Sequence, residues 1–298
     1  KKMDAAREQF RETRDMSVWQ EVGEGMQQLR KERQAAEATL MSDLKSLLTE
    51  EQAAQWPRIE RDHRRESTIR MNMISGGSVD VAELVARLKL PEEEAAKLEP
   101  VIDAYATDLD PALSRRNAIF EQAMGQGMQM WRRMMENGGN APEMQKMFDE
   151  GREAGIRVRD INRRYASQIK ALLGPEAAAK FDEEFKRESF PQVYRQRWGL
   201  NSIAAAEKME DLNETQRASL SSLKEGYQRD LAALQEKATK AIEEQDEKAT
   251  LQGMMSRFMD DPVMRDLRTQ GEALDTKTVD ALKALLTPEQ AAKLPERR

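Results

Sequence analysis

Apolar residues recur along most of this chain in steps of three and four. From Leu98 they fall at Ile102, Tyr105, Leu109, Ala112, Ile119, Ala123, Gly127, Met130 and Met134, with Arg116 interrupting the stripe. From Leu220 the same spacing runs through Leu223, Tyr227, Leu231, Leu234, Ala238 and Ala241. Residues three and four apart share one face of an α-helix, so both stripes predict amphipathic helices near the coiled-coil period. No stretch alternates with period two for long enough to predict a strand. Turn chemistry marks Ser75-Gly76-Gly77-Ser78, Asn137-Gly138-Gly139-Asn140, Trp198-Gly199-Leu200-Asn201 and Asp260-Asp261-Pro262. The pattern between them predicts a short helix from about residue 79, a long one over 91–136, a return helix over 142–173 and a closing helix from 175 to about 195. Pro100 and Pro111 fall inside the long helix, where kinks are expected.

The pattern repeats. Leu44-Lys45-Ser46-Leu47-Leu48-Thr49-Glu50-Glu51-Gln52 matches Leu282-Lys283-Ala284-Leu285-Leu286-Thr287-Pro288-Glu289-Gln290. Ile169-Lys170-Ala171-Leu172-Leu173-Gly174-Pro175-Glu176-Ala177 is an eroded third copy. A second set, Leu98, Val101, Tyr105 and Leu109, matches Leu220, Leu223, Tyr227 and Leu231 at one fixed offset. Two motifs that keep their spacing establish an internal repeat of roughly 115–125 residues. The predicted architecture is all-α: elongated, partly coiled-coil-like tandem repeats of long antiparallel helical hairpins. Residues 1–75 form a partial repeat with only the return and closing helices, 76–200 a full one and 201–298 the third. The chain is expected to begin part-way through a repeat.

The recurring box has a physical reading without a ligand. Thr49 is a good helix N-cap and Gln52 stands three residues on, so each side chain satisfies the other's backbone N–H. Leu48 precedes the cap and packs back on the helix. Leu212, Asn213 and Gln216 repeat this arrangement, as do Leu286, Thr287 and Gln290, where Pro288 takes the first helical position.

Composition narrows the function classes. Charged residues make up 34% and aromatics 5%, and mean hydropathy is −0.80, so only a thin core can be buried. The formal net charge is −6. The two arginine-rich runs, 58–70 and 152–164, are threaded with acids, which argues for solvated helix faces and against nucleic-acid binding. The absence of cysteine excludes disulfides and thiolate chemistry. No apolar run is long enough to predict a transmembrane segment, and no signal-like region opens the chain. Glu60 and His63 have the Glu-x-x-His spacing of helical metal sites, but one histidine cannot build the paired motif, so no metal is expected. There is no phosphate loop, nucleophile elbow or opposed carboxylate pair; no enzyme activity and no cofactor are expected.

Methionine is the informative residue. There are 18, and Met124, Met128, Met130, Met134, Met135, Met144 and Met147, with Trp131, flank one predicted hairpin turn. Met254, Met255, Phe258 and Met259 flank the corresponding turn of the last repeat, and Met71 and Met73 lie near another. Three readings stand: gap-filling core, a soft apolar surface for varied protein partners, or thioether binding of Cu(I).

The boxes Leu48-Thr49-Glu50-Glu51-Gln52 and Leu286-Thr287-Pro288-Glu289-Gln290 carry the Leu-Thr-x-x-Gln motif, with Leu212-Asn213-Glu214-Thr215-Gln216 a close variant. In this the chain resembles the Spy/CpxP-like family of helical proteins. The resemblance implies an all-helical fold, a periplasmic or secreted location and homo-oligomers, since members form dimers. It implies ATP-independent chaperoning of partly unfolded clients, or envelope-stress sensing. The alternative is a structural or scaffold repeat protein that forms one defined assembly.

Overall fold

The computed structural model describes residues 17–136, 142–254 and 261–297, without the side chains of residues 17–22, 24, 26, 27 and 127–136. Its regular elements are α1 (Ser17–Ser46), α2 (Glu50–Thr68), α3 (Val81–Leu88), α4 (Glu92–Glu136), α5 (Pro142–Leu172), α6 (Pro175–Ser189), α7 (Trp198–Glu207), α8 (Glu214–Glu247), α9 (Pro262–Leu285) and α10 (Pro288–Ala291). No strand occurs among the described residues. The long helices pack antiparallel, α4 on α5 and α8 on α9. The 45 residues of α4 run through Pro100 and Pro111 as one helix, roughly 68 Å long. The closing helix α6 stops at Ser189 rather than near 195. Phe190 precedes Pro191, and the proline ring disfavours helical backbone there; Phe190 accordingly has φ −138°.

Local chemistry starts these helices where the sequence places them. Thr49 Oγ1 accepts from the Gln52 N–H at 3.3 Å, and Gln52 Oε1 accepts from the Thr49 N–H at 3.0 Å. Asn213 with Gln216 and Thr287 with Gln290 close the same box on α8 and α10. Gly174 offers no side-chain bond, and α6 relies on Pro175 alone. Asp80 caps α3 through the backbone N–H groups of Ala82 and Glu83.

Equivalent residues build equivalent cores. Leu98, Tyr105 and Leu109 of α4 are buried with Val158, Tyr165 and Ile169 of α5, Leu84 of α3 and Phe181 of α6. Leu220, Tyr227 and Leu231 of α8 are buried with Ile203 and Ala206 of α7 and Leu282 of α9. A third cluster joins the two: Phe190 and Val193, between α6 and α7, pack on Ala238 and Ile242 of α8 and Leu267 of α9.

The first two cores each hold a polar lock on a buried tyrosine. The Tyr105 hydroxyl donates to Asn162 Oδ1 at 3.0 Å, and Asn162 Nδ2 donates to the carbonyls of Gly76 and Val79 at 2.8 and 2.9 Å. In the next hairpin the Tyr227 hydroxyl donates to Asp275 Oδ1 at 2.6 Å, and the Arg197 guanidinium binds both oxygens of Asp275. Burial, together with the neighbouring Asp275, raises the Tyr227 hydroxyl well above its ordinary value. Asn162 and Asp275 stand at the same repeat position, seven residues before Ile169 and Leu282.

Candidate functional site

Methionines from three segments converge on one apolar groove of about 580 Å³, between the α2–α3 connection, the α4–α5 hairpin and the end of α8. One wall is the α2–α3 connection, with Met71, Met73 and Ile74. A second is α4, with Ile119 and Phe120, and a third is the start of α5, with Met144, Met147 and Phe148. The fourth side is the chain just beyond α8, with Leu251 and Met254. Five thioethers from three separate segments therefore face one space. Met71 and Met73 are exposed, whereas Met144, Met147 and Met254 are half-buried.

Hydrogen bonds across long sequence separations hold these walls in place. Asn72 bridges the connection internally, its Oδ1 accepting from the Ile74 N–H at 3.0 Å and its Nδ2 donating to Gly155 O at 3.4 Å. Gly155 must be a glycine, because a Cβ there would meet Ile74 Cγ1 at 2.8 Å. The Ser75 N–H donates to Asp246 Oδ2 at 2.9 Å, and the Leu251 N–H donates to Gln145 Oε1 at 3.2 Å. Together they tie the end of α8 to the α2–α3 connection and to the start of α5.

Two arginines line the groove without a close carboxylate partner among the described residues. Arg116, the residue that interrupts the α4 stripe, is buried and donates to the Thr68 and Ile69 carbonyls at 2.5 and 3.2 Å. It thus satisfies the C-terminal end of α2, where a cation also complements the helix dipole. Desolvation lowers its guanidinium to about 10. Arg152 donates to the Glu247 carbonyl and sits 3.6 Å from Asp149, while its buried Nε has no partner among the described residues.

The other sequence candidates divide clearly. Met124 is exposed on α4 and does not line the groove. The side chains of Met128, Met130, Trp131, Met134, Met135, Met255, Phe258 and Met259 lie outside the described residues. His63 does not pair with Glu60: its Nε2 lies 2.6 Å from Glu37 Oε1, and Glu60 accepts from the Trp56 indole at 2.5 Å. No cluster able to hold a metal ion occurs among the described residues. The arginine-rich runs face carboxylates, as in Arg64–Asp110 at 2.6 Å, Arg65–Asp80 at 3.0 Å and Arg163–Glu243 at 2.6 Å. Among the described residues no helix is long and apolar enough to cross a membrane.

The boxes hold one feature that their spacing does not reveal. Gln216 and Gln290 meet across the base of the last hairpin, with Gln216 Nε2 donating to Gln290 Oε1 at 3.0 Å and to Leu285 O at 3.0 Å. Gln290 Nε2 donates in turn to Asp211 O at 3.1 Å. One glutamine therefore caps its own helix and clamps the neighbouring one. Sequence reasoning also missed Phe120, Phe148 and Arg152 as groove residues. Phe148 and Arg152 stand in helical step with the buried Gly155 and Asn162, whereas Phe120 lies beside the α4 stripe and carried no such signal.

Compared with known proteins, the chain matches no protein-family model, no curated protein and no solved structure. The likeness to the Spy/CpxP-like family rests on the Leu-Thr-x-x-Gln boxes alone.

Proposed function

We propose that this protein is an ATP-independent, chaperone-like binder of partly unfolded proteins, acting in the periplasm, and that the methionine groove is where clients dock. The observation that carries the reading is the groove itself. Methionine is unbranched and polarizable, so a wall of thioethers adapts to apolar side chains of many shapes. The boxes carry the resemblance that implies such an activity, and the apolar groove supports protein partners over a nucleic acid.

The test is light scattering of a denaturant-unfolded client diluted into this protein without nucleotide. Suppression of aggregation near equal stoichiometry is expected. The Met71→Glu/Met73→Glu variant should lose most of it with unchanged helicity, since both side chains are exposed and no core depends on them. Scattering unchanged against several clients would reject the reading.

A further inference from the structure

Helix α5 meets the rest of the molecule on two faces. Val158, Tyr165 and Ile169 are buried against α4, whereas Gln145, Arg152, Arg159 and Arg163 form a second stripe in helical step. That stripe meets the end of α8, which runs antiparallel to it. Arg163 Nη2 lies 2.6 Å from Glu243 Oε1 and Arg159 Nη2 3.5 Å from Glu247 Oε1, and Arg152 donates to the Glu247 carbonyl. Beyond them Gln145 Oε1 accepts from the Leu251 N–H, and Asp246 Oδ2 accepts from the Ser75 N–H. By itself the end of α8 is a poor helix terminus. Glu243, Glu244, Asp246 and Glu247 crowd the end where the helix dipole favours cations, and the last turn carries no base. The C-cap Lys248 lies 3.8 Å from Glu244, and the α5 arginines supply further positive charge from another helix. Leu251 and Met254, which wall the groove, follow close behind. Just before the acids, Ala238 and Ile242 pack on Phe190 and Val193 in the third apolar cluster. The joint between the two hairpins therefore changes from apolar to ionic within one turn of α8.

We infer that this ionic end is a latch on the methionine groove. Docked on the α5 arginines, it keeps α8 helical to Glu247 and completes the groove. Undocked, it unwinds from Glu243 on and withdraws Leu251 and Met254. Surface ion pairs are individually weak and are screened by salt, so the latch opens while the apolar cluster beside it stays closed. Opening takes one wall from the groove and loosens a bound segment without nucleotide. That consequence rests on the client reading of the groove, whereas the latch itself does not. Arg163 and Glu243 do not line the groove, so changes to them reach it through the latch.

Amide hydrogen exchange on the full chain tests the latch. Arg163→Glu removes a pair and sets like charges together, so exchange over residues 243–254 should become about fivefold faster. Amides around Tyr227 and Leu231 should keep their protection. The charge-swapped variant Arg163→Glu/Glu243→Arg should restore the native rate. In the native chain, about 1 M NaCl, where the Debye length is about 3 Å, should speed exchange over the same residues. Unchanged exchange in Arg163→Glu overturns the inference, as does faster exchange that the swap fails to restore or protection lost equally at Tyr227. In the scattering test, client suppression should fall with Arg163→Glu and return with the swap; suppression that ignores both variants overturns the latch's hold on the groove. If the native chain suppresses no client while exchange behaves as expected, the client reading fails and the latch stands.

Discussion

The second and third hairpins solve one problem with different chemistry. Each buries a tyrosine hydroxyl at the same repeat position, and each must give that hydroxyl a partner. In the α4–α5 hairpin the partner is the neutral Asn162, whose amide also reads the carbonyls of Gly76 and Val79. In the α8–α9 hairpin it is Asp275, and a buried carboxylate calls for a buried cation, which Arg197 supplies from the chain just before α7. The space for that guanidinium comes from a third substitution. Gly271 stands where the earlier hairpin has the fully buried Val158, and a Cβ on Gly271 would meet Arg197 Nη2 at 2.5 Å. Asparagine with valine and aspartate with glycine and arginine are thus two self-consistent sets. The earlier hairpin does hold a buried ion pair, Arg65–Asp80, but there Asp80 caps α3 and does not serve the tyrosine. The lesson is that a repeat position conserves the role of a side chain, whereas its charge follows from the neighbours available.

The difference has a measurable size. Asp275→Ala strands the Arg197 guanidinium in the core and should cost about 3–5 kcal/mol, the range for breaking a buried pair. The double variant Arg197→Met/Asp275→Leu, read by urea denaturation beside it, should recover most of that loss. If the single and double variants are equally destabilised, the ion pair is not what distinguishes this hairpin.

Asn162→Ala should cost less, about 2–3 kcal/mol, because it leaves neutral groups unpaired: the Tyr105 hydroxyl and two carbonyls. The same denaturation experiment checks it. A loss as large as that of Asp275→Ala would erase the contrast between a neutral and a charged lock.

The smallest contrast lies between the capping boxes. Gln290→Ala removes a cap bond and the clamp to Gln216 and Asp211, so about 1–2 kcal/mol is expected. Gln52→Ala removes an exposed cap alone and should cost about 0.5–1 kcal/mol. Thermal melts of the two variants side by side measure the worth of the clamp. Equal shifts would show that the Gln216–Gln290 contact adds nothing.

Much of the scaffold was legible because it is written locally. The predicted helices over 91–136 and 142–173 agree with α4 and α5 to within a residue at either end. Caps, prolines and the three-to-four spacing act within a few residues of one another. Pro191 ends α6 at Ser189, short of the 195 that the spacing predicts. Arg116 read as a flaw in an apolar stripe, yet it caps α2 from another helix. Of the groove, the sequence showed which methionines cluster along the chain. It did not show that those of α5 share a space with Met71, Met73 and Met254.

By itself, then, the sequence determined the helical class, most helix boundaries, the capping boxes and the repeat that pairs Tyr105 with Tyr227. Each depends on backbone preferences and periodicity over a few turns. Only the tertiary structure decided that Gln216 meets Gln290, that Arg197 meets Asp275 and that five methionines line one groove. These contacts join residues tens of positions apart. Their existence depends on how long helices lie across one another, which side-chain packing sets and local spacing does not.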